Sequence, residues 1–143
     1  MGLTMRPGLG RATEERTRGC PFCSIVAETH NGIVVENNDF VAIFDKFPVN
    51  PGHTLLLPRR HVTTVFELLP EEWLSLHHLL AAARDTLDAK YRPDGFNIGI
   101  NCGATAGQTI PHLHVHLIPR FKGDVPNPQG GIRNFKPPSV PYP

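Results

Sequence analysis

Histidines alternate with apolar residues near the carboxyl end of the chain, and this is the pattern best suited to do chemistry. The run consists of His112, Leu113, His114, Val115, His116, Leu117 and Ile118. Side chains of a β-strand point alternately to opposite faces, so on a strand the three imidazoles would share one face. The pattern therefore predicts a strand with one packed apolar face and one histidine face available for a site.

Three interpretations of the histidine face are open from these residues alone. The histidines could be solvated side chains on an exposed sheet face, or ligands of one catalytic metal ion. A strand rises about 3.3 Å per residue, which puts His112 and His116 roughly 13 Å apart along the backbone, so three ligands from one regular strand are awkward. In the third interpretation the histidines have different roles, one is a nucleophile, and a phosphate-binding loop lies nearby.

The segment before the histidines has the composition of a phosphate-binding loop. Residues 103–109 contain Gly103, Gly107 and three polar side chains. Glycine lets the backbone approach an anion, and backbone amides and hydroxyl groups can donate hydrogen bonds to it. A plain turn between two strands would have a similar composition. The place of the segment directly before the histidine run favours the phosphate-binding interpretation.

Five short runs of apolar or β-branched residues, separated by Asn, Asp, Gly and Pro, are typical of strands. They are Ile33–Glu36, Phe40–Phe44, Thr54–Leu57, Phe96–Ile100 and Leu113–Ile118. The first two are close enough in sequence to form a hairpin.

Two helices are predicted. The long helix runs from Pro70 to near Lys90, because Pro and two acidic residues at its start precede apolar residues at three-and-four spacing. These apolar residues are Trp73, Leu76, Leu80, Ala83 and Leu87. A short helix is predicted at Phe22–Glu28. The elements together indicate an α+β domain with a five-stranded antiparallel sheet, one long helix and one short helix.

Length and composition fit one domain. The chain has 143 residues, of which 40% are hydrophobic, and a formal charge of +1, which argues against a nucleic-acid partner and against a disordered acidic protein. No apolar run approaches the roughly 20 residues of a membrane span. Three cysteines without an apolar amino-terminal signal favour a cytoplasmic protein. We expect a flexible leader over residues 1–19, a catalytic domain over 20–124 and a proline-rich tail over 125–143.

Two further features are ambiguous by themselves. Cys20 and Cys23 form a C-x-x-C pair, which could be a redox pair, two buried thiols or half of a tetrahedral zinc site. Asp45 follows a predicted strand, where Asp is often a turn residue that bonds to its own backbone. Cys102 has no motif around it and is expected to be a buried thiol.

These features resemble the histidine triad superfamily. The matching residues are Ala106-Gly107-Gln108-Thr109 followed after a two-residue gap by the histidine run, and further upstream Cys20–Val26, Asp45 and Pro51–Pro58. The resemblance covers residues 20–124. It implies a homodimer in which each subunit has a five-stranded antiparallel sheet, and a reaction through a nucleotidyl-histidine intermediate.

The resemblance also implies roles for individual residues. His114 would be the nucleophile, His116 would contact the phosphate or position the attacking ring, and His112 would complete the catalytic triplet. His53 is expected close to this cluster, and Asp45 is expected to accept hydrogen bonds from the ribose hydroxyls. The residues expected to line the phosphate are Asn101, Gly107, Gln108 and Thr109. The residues expected to contact the base are Phe22, Ile25 and Ile43.

Some members of this family complete the C-x-x-C pair with two histidines, which implies a zinc site. The corresponding ligands are Cys20, Cys23, His61 and His112. Two sulfur and two nitrogen ligands suit a closed structural zinc site without an open position for catalysis. We therefore expect structural zinc and no catalytic metal. His112 would then serve structure, which leaves His114 free for chemistry.

The activity implied by the resemblance is that of a nucleotide hydrolase or nucleotidyl transferase acting at the α-phosphate of purine nucleotide conjugates. Dinucleoside polyphosphates and nucleoside phosphoramidates fit the same residues. One alternative is a nucleotide-binding regulatory protein with little turnover, and another is a metal-dependent hydrolase that uses the histidine triplet as ligands. No nucleic acid and no membrane is expected among the partners.

Overall fold

A computed structural model describes residues 17–28 and 31–136, which form one antiparallel sheet with an α-helix on each face. The strands are β1 Ile33–Glu36, β2 Phe40–Phe44, β3 Thr54–Pro58, β4 Gly95–Ile100 and β5 Val115–Arg120. The helices are α1 Pro21–Ala27 and α2 Pro70–Tyr91. The strand order is β1-β2-β3-β5-β4, and neighbouring strands are antiparallel. The predicted α+β fold is confirmed.

The last strand begins two residues later than the sequence predicts. β5 starts at Val115 and not at Leu113. The backbone amide of Leu113 donates instead to the carbonyl of Val62, and that of His112 donates to Ile110 within its own loop. The residues just before β5 therefore bond to loops and do not extend the sheet.

Each face of the sheet has its own apolar core. The larger core lies under α2 and includes Phe40, Ala42, Leu56, Leu76, Leu79, Ala83, Leu87, Leu113, Val115 and Leu117. The smaller core lies under α1 and includes Phe22, Val26, Val41, Ile43, Leu55 and Leu57. Since β2 and β3 are covered on both faces, nearly all their residues are buried and their sequences are almost continuously apolar.

The long helix has the expected start but a slightly different buried stripe. Pro70 occupies the first turn, and the carboxylate of Glu72 accepts a hydrogen bond from the backbone amide that precedes the helix. The buried residues are Leu76, Leu79, Ala83 and Leu87. Trp73, which the spacing places on the buried face, is 47% exposed, whereas Leu79 replaces it in the core. The apolar spacing therefore locates the helix better than it locates the contact residues.

The turn that leads into β3 requires glycine. Gly52 has a φ of +86°, and a Cβ atom at this position would lie 2.9–3.1 Å from atoms of Tyr91 and Pro119. Any other residue would be strained and would also collide with these side chains. The turn thus fixes the direction in which the chain enters β3, and with it the position of His53.

Parts of the predicted leader and tail lie outside the described residues, namely 1–16 and 137–143. The described part of the proline-rich tail contains a 3₁₀ turn at Gly131–Phe135. Ile132 of this turn packs over β4, where a Cβ atom at Gly99 would lie 3.2 Å from it. Among the described residues there is no helix with the length and apolar character to cross a membrane.

Candidate active site and metal cluster

The histidine run keeps the alternation of a strand although β5 begins late. Its apolar members are buried in the core under α2, namely Leu113, Val115 and Leu117. The rings of His112 and His114 instead contact the ring of Phe22 in α1 edge-on, with centroids 5.9 and 5.2 Å apart. The run is therefore divided into an apolar face and a histidine face, as predicted.

His114 is held with one ring nitrogen bonded and the other available. Its Nδ1 lies 2.9 Å from the backbone carbonyl oxygen of His112. Because a carbonyl oxygen can only accept, Nδ1 carries the proton and the neutral ring keeps its lone pair on Nε2. The residue is only 8% exposed. An oriented imidazole with an unprotonated Nε2 can act as a nucleophile.

A backbone amide fixes the proton positions on two further histidines. The amide of Val49 donates to Nδ1 of His53 at 3.2 Å, so the neutral His53 ring carries its proton on Nε2. This Nε2 lies 2.9 Å from Nδ1 of His116 and donates to it. His116 therefore carries its own proton on Nε2. The centroid of its ring is 5.2 Å from that of His114, which brings a hydrogen-bond donor close to the free lone pair.

The rings of His53 and His116 are both neutral at pH 7. Burial, with a smaller contribution from the nearby rings of His114 and His53, lowers the pKa of His116 to about 4, and Asp45 opposes the shift. Burial also lowers the pKa of His53, against the attraction of Asp45. The Nε2–H group of His116 is consequently an uncharged donor near neutral pH.

Asp45 lies at the mouth of the site with its two oxygens in different surroundings. Oδ1 accepts a hydrogen bond from the amide of Phe47 at 2.9 Å, which is the turn interaction anticipated as the simpler role of this residue. Oδ2 lies 3.5 Å from Nε2 of His53. The side chain is partly exposed, at 17%, so Oδ2 can still meet a ligand.

The hydrogen bonds of His53 argue against a catalytic metal at this position. Donor atoms of Asp45, His53 and His116 lie within 4.8 Å of one another, close enough to consider a metal ion. A neutral imidazole has one lone pair, however, and that of His53 accepts the Val49 amide. His53 cannot offer Nε2 to a metal while this bond is kept. The geometry therefore does not favour a catalytic metal held by Asp45, His53 and His116.

An apolar cavity of about 530 Å³ lies beside these histidines, between α1 and strands β2 and β3. The residues that the sequence predicts around a base and ribose all line it, namely Phe22, Ile25, Ile43 and Asp45. Leu55 and Ile110 also line it and were missed. The spacing could have indicated Leu55, because it lies two residues after His53 and therefore on the same face of the extended chain that enters β3. The size is typical of a small-molecule site.

The predicted phosphate-binding loop bonds largely to itself. Oε1 of Gln108 accepts from the amide of Gly103 at 2.8 Å, and its Nε2 donates to the carbonyl of Thr63 at 2.7 Å. The amides of Gly107 and Gln108 donate to the carbonyls of Ala104 and Gly103. This differs from the sequence prediction, in which these groups face a phosphate. In this arrangement they hold the loop in shape.

Two other residues predicted to line a phosphate are better placed to do so. Thr109 is exposed, and the side-chain amide of Asn101 is half-buried beside Gly107, where a Cβ atom would lie 3.8 Å from its Nδ2. Gly107 has a φ of +93°, which favours glycine, and without a side chain it leaves the space beside the Asn101 amide open. Of the backbone and side-chain donors that the sequence suggested, the amides of Gly107 and Gln108 are therefore used within the loop.

Four potential metal ligands from distant parts of the chain converge on the other side of Phe22. They are Cys20, Cys23, His61 and His112. Nδ1 of His112 lies 3.5 Å from the sulfur of each cysteine, and Nδ1 of His61 lies 3.1 Å from that of Cys23. Tetrahedral zinc with ordinary bond lengths separates neighbouring sulfur and nitrogen ligands by about 3.3–3.8 Å. The two distances of His112 lie in this range and the distance of His61 is slightly shorter, so the donor set fits a closed zinc site after a small adjustment of His61.

Of the two histidines in this cluster, His112 is already oriented as a ligand. Nε2 of His112 donates to the carbonyl of Pro58 at 2.9 Å, so its Nδ1 lone pair faces the sulfurs. Burial lowers the pKa of this ring to about 4, which keeps it neutral. Burial and the neighbouring Cys20 raise the pKa of Cys23 to about 12 without metal, and a bound cation would favour the thiolate instead. His112, predicted for both the triplet and the metal set, thus points into the cluster. Cys102 is only partly buried.

The arrangement of histidines has a counterpart in a known family. Residues 26–123, more than half of the chain, match the HIT domain. The chain belongs to the HIT domain family. One relative of this HIT protein is the AP-4-A phosphorylase of Mycobacterium tuberculosis, which is 38% identical over 107 residues, 73% of this chain and 55% of the phosphorylase. Another is the asymmetrical bis(5'-nucleosyl)-tetraphosphatase of Schizosaccharomyces pombe, 40% identical over 77 residues, 54% of this chain and 42% of that enzyme.

A solved structure also resembles this HIT protein. The crystal structure of a Zn-bound histidine triad family protein from Mycobacterium smegmatis superposes with a TM-score of 0.68 at 32% identity, covering 76% of this chain and 79% of that one. At the level of the family, the named relatives support nucleotide hydrolase or transferase activity. The Zn-bound neighbour and the cluster of four ligands together support a metal site of this general kind.

Proposed function

We propose that this HIT protein is a nucleotide hydrolase that cleaves purine nucleotide conjugates at the α-phosphate through a nucleotidyl-histidine intermediate on His114. The observation that carries the proposal is a pair of adjacent imidazole rings, with centroids 5.2 Å apart, whose Nε2 atoms have opposite proton states. Nε2 of His114 has a lone pair because Nδ1 bonds to a carbonyl, and Nε2 of His116 has a proton because its Nδ1 accepts from His53. One nitrogen can attack phosphorus while the other donates to a phosphoryl oxygen.

The reaction proceeds by two displacements at phosphorus. Nε2 of His114 attacks the α-phosphorus, and the bond to the leaving group breaks as the bond to nitrogen forms. The carbonyl oxygen of His112 accepts a hydrogen bond from Nδ1–H of His114 and stabilises the positive charge that develops on that ring. His116 donates to a non-bridging oxygen, where charge accumulates in the transition state. Water then displaces His114 from phosphorus, which releases the nucleoside monophosphate and restores the imidazole. The proton that the water gives up balances the proton that the leaving group takes up.

The apolar cavity would bind the nucleoside part of the substrate. Its volume of about 530 Å³ suits a purine, and Phe22, Ile25 and Ile43 offer apolar walls to the base. Asp45 would accept from the ribose hydroxyls through Oδ2, the oxygen not used by the Phe47 amide. The side chains that would contact the phosphate are Asn101 and Thr109, with Gly107 allowing close approach. Gln108 would act indirectly by holding the loop.

The four-residue cluster would hold a structural zinc ion. Two thiolates and two imidazoles complete a tetrahedral shell, so the ion has no open position for chemistry and contributes to folding. The neighbouring Zn-bound protein of the same family supports this assignment. The chemistry on the nucleotide is left to the histidine face.

We also infer that two copies of the chain associate. β4 lies at one edge of the sheet, and Ile98 on this strand is 50% exposed. An edge strand with an exposed apolar side chain is usually covered by another chain or segment. Sedimentation of the purified protein at micromolar concentration should show a dimer, and a monomer under these conditions would contradict the inference.

Turnover of a panel of conjugates tests the activity. The purified, zinc-loaded protein is assayed with adenosine and guanosine phosphoramidates and dinucleoside polyphosphates, and kcat/KM is measured for each. His114→Asn should lose at least about a thousandfold in kcat while AMP affinity stays within about tenfold, because a nucleophile acts mainly on the transition state. His78→Asn, an exposed histidine on α2, is the matched control and should behave as the wild type.

Direct detection of the intermediate completes the test. Brief mixing with a substrate, alkaline quench and mass spectrometry should show a nucleotidyl adduct on His114, since a phosphoramidate is destroyed by acid. An adduct on another residue would refute the assigned nucleophile. AMP binding without turnover of any conjugate would refute the enzyme and favour a nucleotide-binding regulatory protein.

A further inference from the structure

The short helix α1 lies between the metal cluster and the nucleotide cavity. Cys20 is the residue that caps its start, and Cys23 lies in its first turn, where its amide donates to the Cys20 sulfur at 3.4 Å. The residues between and after these two cysteines line the cavity, namely Pro21, Phe22 and Ile25. This seven-residue helix and its capping residue therefore provide two of the four metal ligands, and the helix also forms one wall of the cavity.

Phe22 connects the cluster to the proposed nucleophile. Its ring packs edge-on against a metal-ligand ring, that of His112, and against the ring of His114, with centroids 5.9 and 5.2 Å away. Phe22 is 8% exposed. A displacement of α1 would therefore move the side chain that contacts His114 and would change the cavity at the same time.

A second connection passes through the backbone. The side chain of His112 is fixed by two contacts, Nδ1 toward the cysteine sulfurs and Nε2 toward the carbonyl of Pro58. Its backbone carbonyl accepts a hydrogen bond from Nδ1–H of His114 and so fixes the proton of that ring on Nδ1. The residue that provides a metal ligand thus also orients the nucleophile.

The remaining anchors of α1 lie mainly at its other end. Val26 packs into the small core, and its carbonyl accepts a hydrogen bond from Arg59 at 3.1 Å. An isolated helix of this length is unstable in water, so its position depends on such tertiary contacts. At its amino-terminal end, Cys20 and Cys23 face His61 and His112, which belong to other parts of the chain. Bonds from all four to one ion would hold that end.

We propose that the metal cluster positions the active site: by holding α1 against the rest of the chain, Cys20, Cys23 and His61 act through Phe22 and His112 to set nucleotide affinity and the orientation of His114. These three are positioning residues, since none of them lines the cavity. The proposal rests on the proposed function, because it concerns the same nucleotide site. It adds a dependence of that site on metal occupancy.

Removal of the metal from the intact protein is the first test. Zinc-loaded and chelator-stripped protein are compared by AMP titration calorimetry and by amide hydrogen exchange. Stripping should weaken AMP binding by about threefold to tenfold, the value of one aromatic contact, and should raise amide hydrogen exchange most in α1. The amides of β2 and β5 should lose protection by a smaller factor, set by the lower global stability of the stripped protein. Readdition of Zn²⁺ should restore both properties.

Two variants and one control distinguish an effect of the metal cluster from an effect of the cavity wall formed by Phe22. Cys23→Ser should reproduce the stripped state, whereas Cys102→Ser, which changes a cysteine outside the cluster, should not. Phe22→Leu should retain zinc and the protection of α1 but weaken AMP binding by a similar factor. In Phe22→Leu, stripping the metal should change AMP affinity by less than about twofold, because the aromatic contact through which the cluster acts on the cavity is already lost.

The outcomes distinguish this proposal from the proposed function. AMP affinity and α1 protection that are the same with and without zinc, in a protein that turns over nucleotide conjugates, would overturn the inference and leave the function intact. Equal losses on stripping in the wild type and in Phe22→Leu would also overturn it, since the cluster would then act on stability in general. A protein that binds no AMP in any form would refute both.

Discussion

Replacement of Asp45 by asparagine separates the two roles that its carboxylate oxygens can have. Oδ1 accepts from the Phe47 amide at 2.9 Å, and asparagine keeps an oxygen there, so the turn is retained. Oδ2, which lies 3.5 Å from Nε2 of His53, is replaced by an amide NH₂ group. That group cannot accept a hydrogen bond from a ribose hydroxyl. Asp45→Asn therefore tests the ribose contact without removing the turn.

The expected size of the effect follows from the charge on the acceptor. A hydrogen bond to a charged group contributes about 1.5–3 kcal/mol, which corresponds to about tenfold to a hundredfold in kcat/KM. For the wild type, the 2'-deoxy analogue of a good substrate should be poorer by about tenfold or more, because the carboxylate loses a partner. In Asp45→Asn this ratio should approach one, since no charged acceptor is present.

The assay compares two enzymes and two substrates in a double-mutant cycle. We expect a ribose preference in the wild type and in Asp39→Asn, which removes an equal charge from an exposed position in the turn between β1 and β2. The preference should be lost only in Asp45→Asn. An identical ratio of ribose to deoxyribose activity in wild type and Asp45→Asn would refute the reasoning, and Asp45 would then be a turn residue only.

Three further predictions concern the metal, the loop and pH. Protein purified without chelator should contain about one zinc per chain, and Cys20→Ser should lower both the zinc content and the Tm; metal-free protein of unchanged Tm would contradict the structural role. Gln108→Leu should reduce the free energy of unfolding in urea by about 2 kcal/mol, because the Gly103 amide and the Thr63 carbonyl lose their partner; a variant as stable as the wild type would refute this bonding. The folded-state pKa of His116 lies near 4, below its unfolded value of about 6.5, so the unfolded chain binds a proton first as the pH falls. In stripped protein the free energy of unfolding should therefore decrease from about pH 6.5 toward pH 4, less steeply in His116→Gln; parallel curves would exclude this contribution.

The alternation of side chains was accessible from the sequence because it depends only on local geometry. The apolar residues of the histidine run are buried under α2 and its first two histidine rings face α1, although the regular strand begins only at Val115. Alternation persists in any extended segment, so an error in the strand boundary did not affect it. The cavity residues Phe22, Ile25, Ile43 and Asp45 came instead from the resemblance to the histidine triad superfamily, which did not indicate other lining residues such as Leu55 and Ile110.

Interactions between distant residues were harder to obtain. The bond between His53 and His116 depends on the pairing of β3 with β5, where Leu55 lies opposite His116, and no local pattern encodes that pairing. The side chain of Gln108 was assigned to a phosphate from the family resemblance, and its residue type is compatible with that role. Its actual bonds to Gly103 and Thr63 depend on how the loop folds back. Residue type thus indicates what a side chain can bond to, and tertiary structure decides the partner.

The hydrogen bond from the Val49 amide to His53 has a consequence for how such sites diverge. The side chain of Val49 is 67% exposed and contributes nothing to this bond, which comes from the main chain. Nineteen of the twenty amino acids would supply the same N–H group, and only proline would remove it. The position can therefore drift freely in sequence while the protonation pattern of two active-site rings is inherited unchanged. A comparison of sequences would register it as a variable loop residue, even though the orientation of the His116 donor begins there.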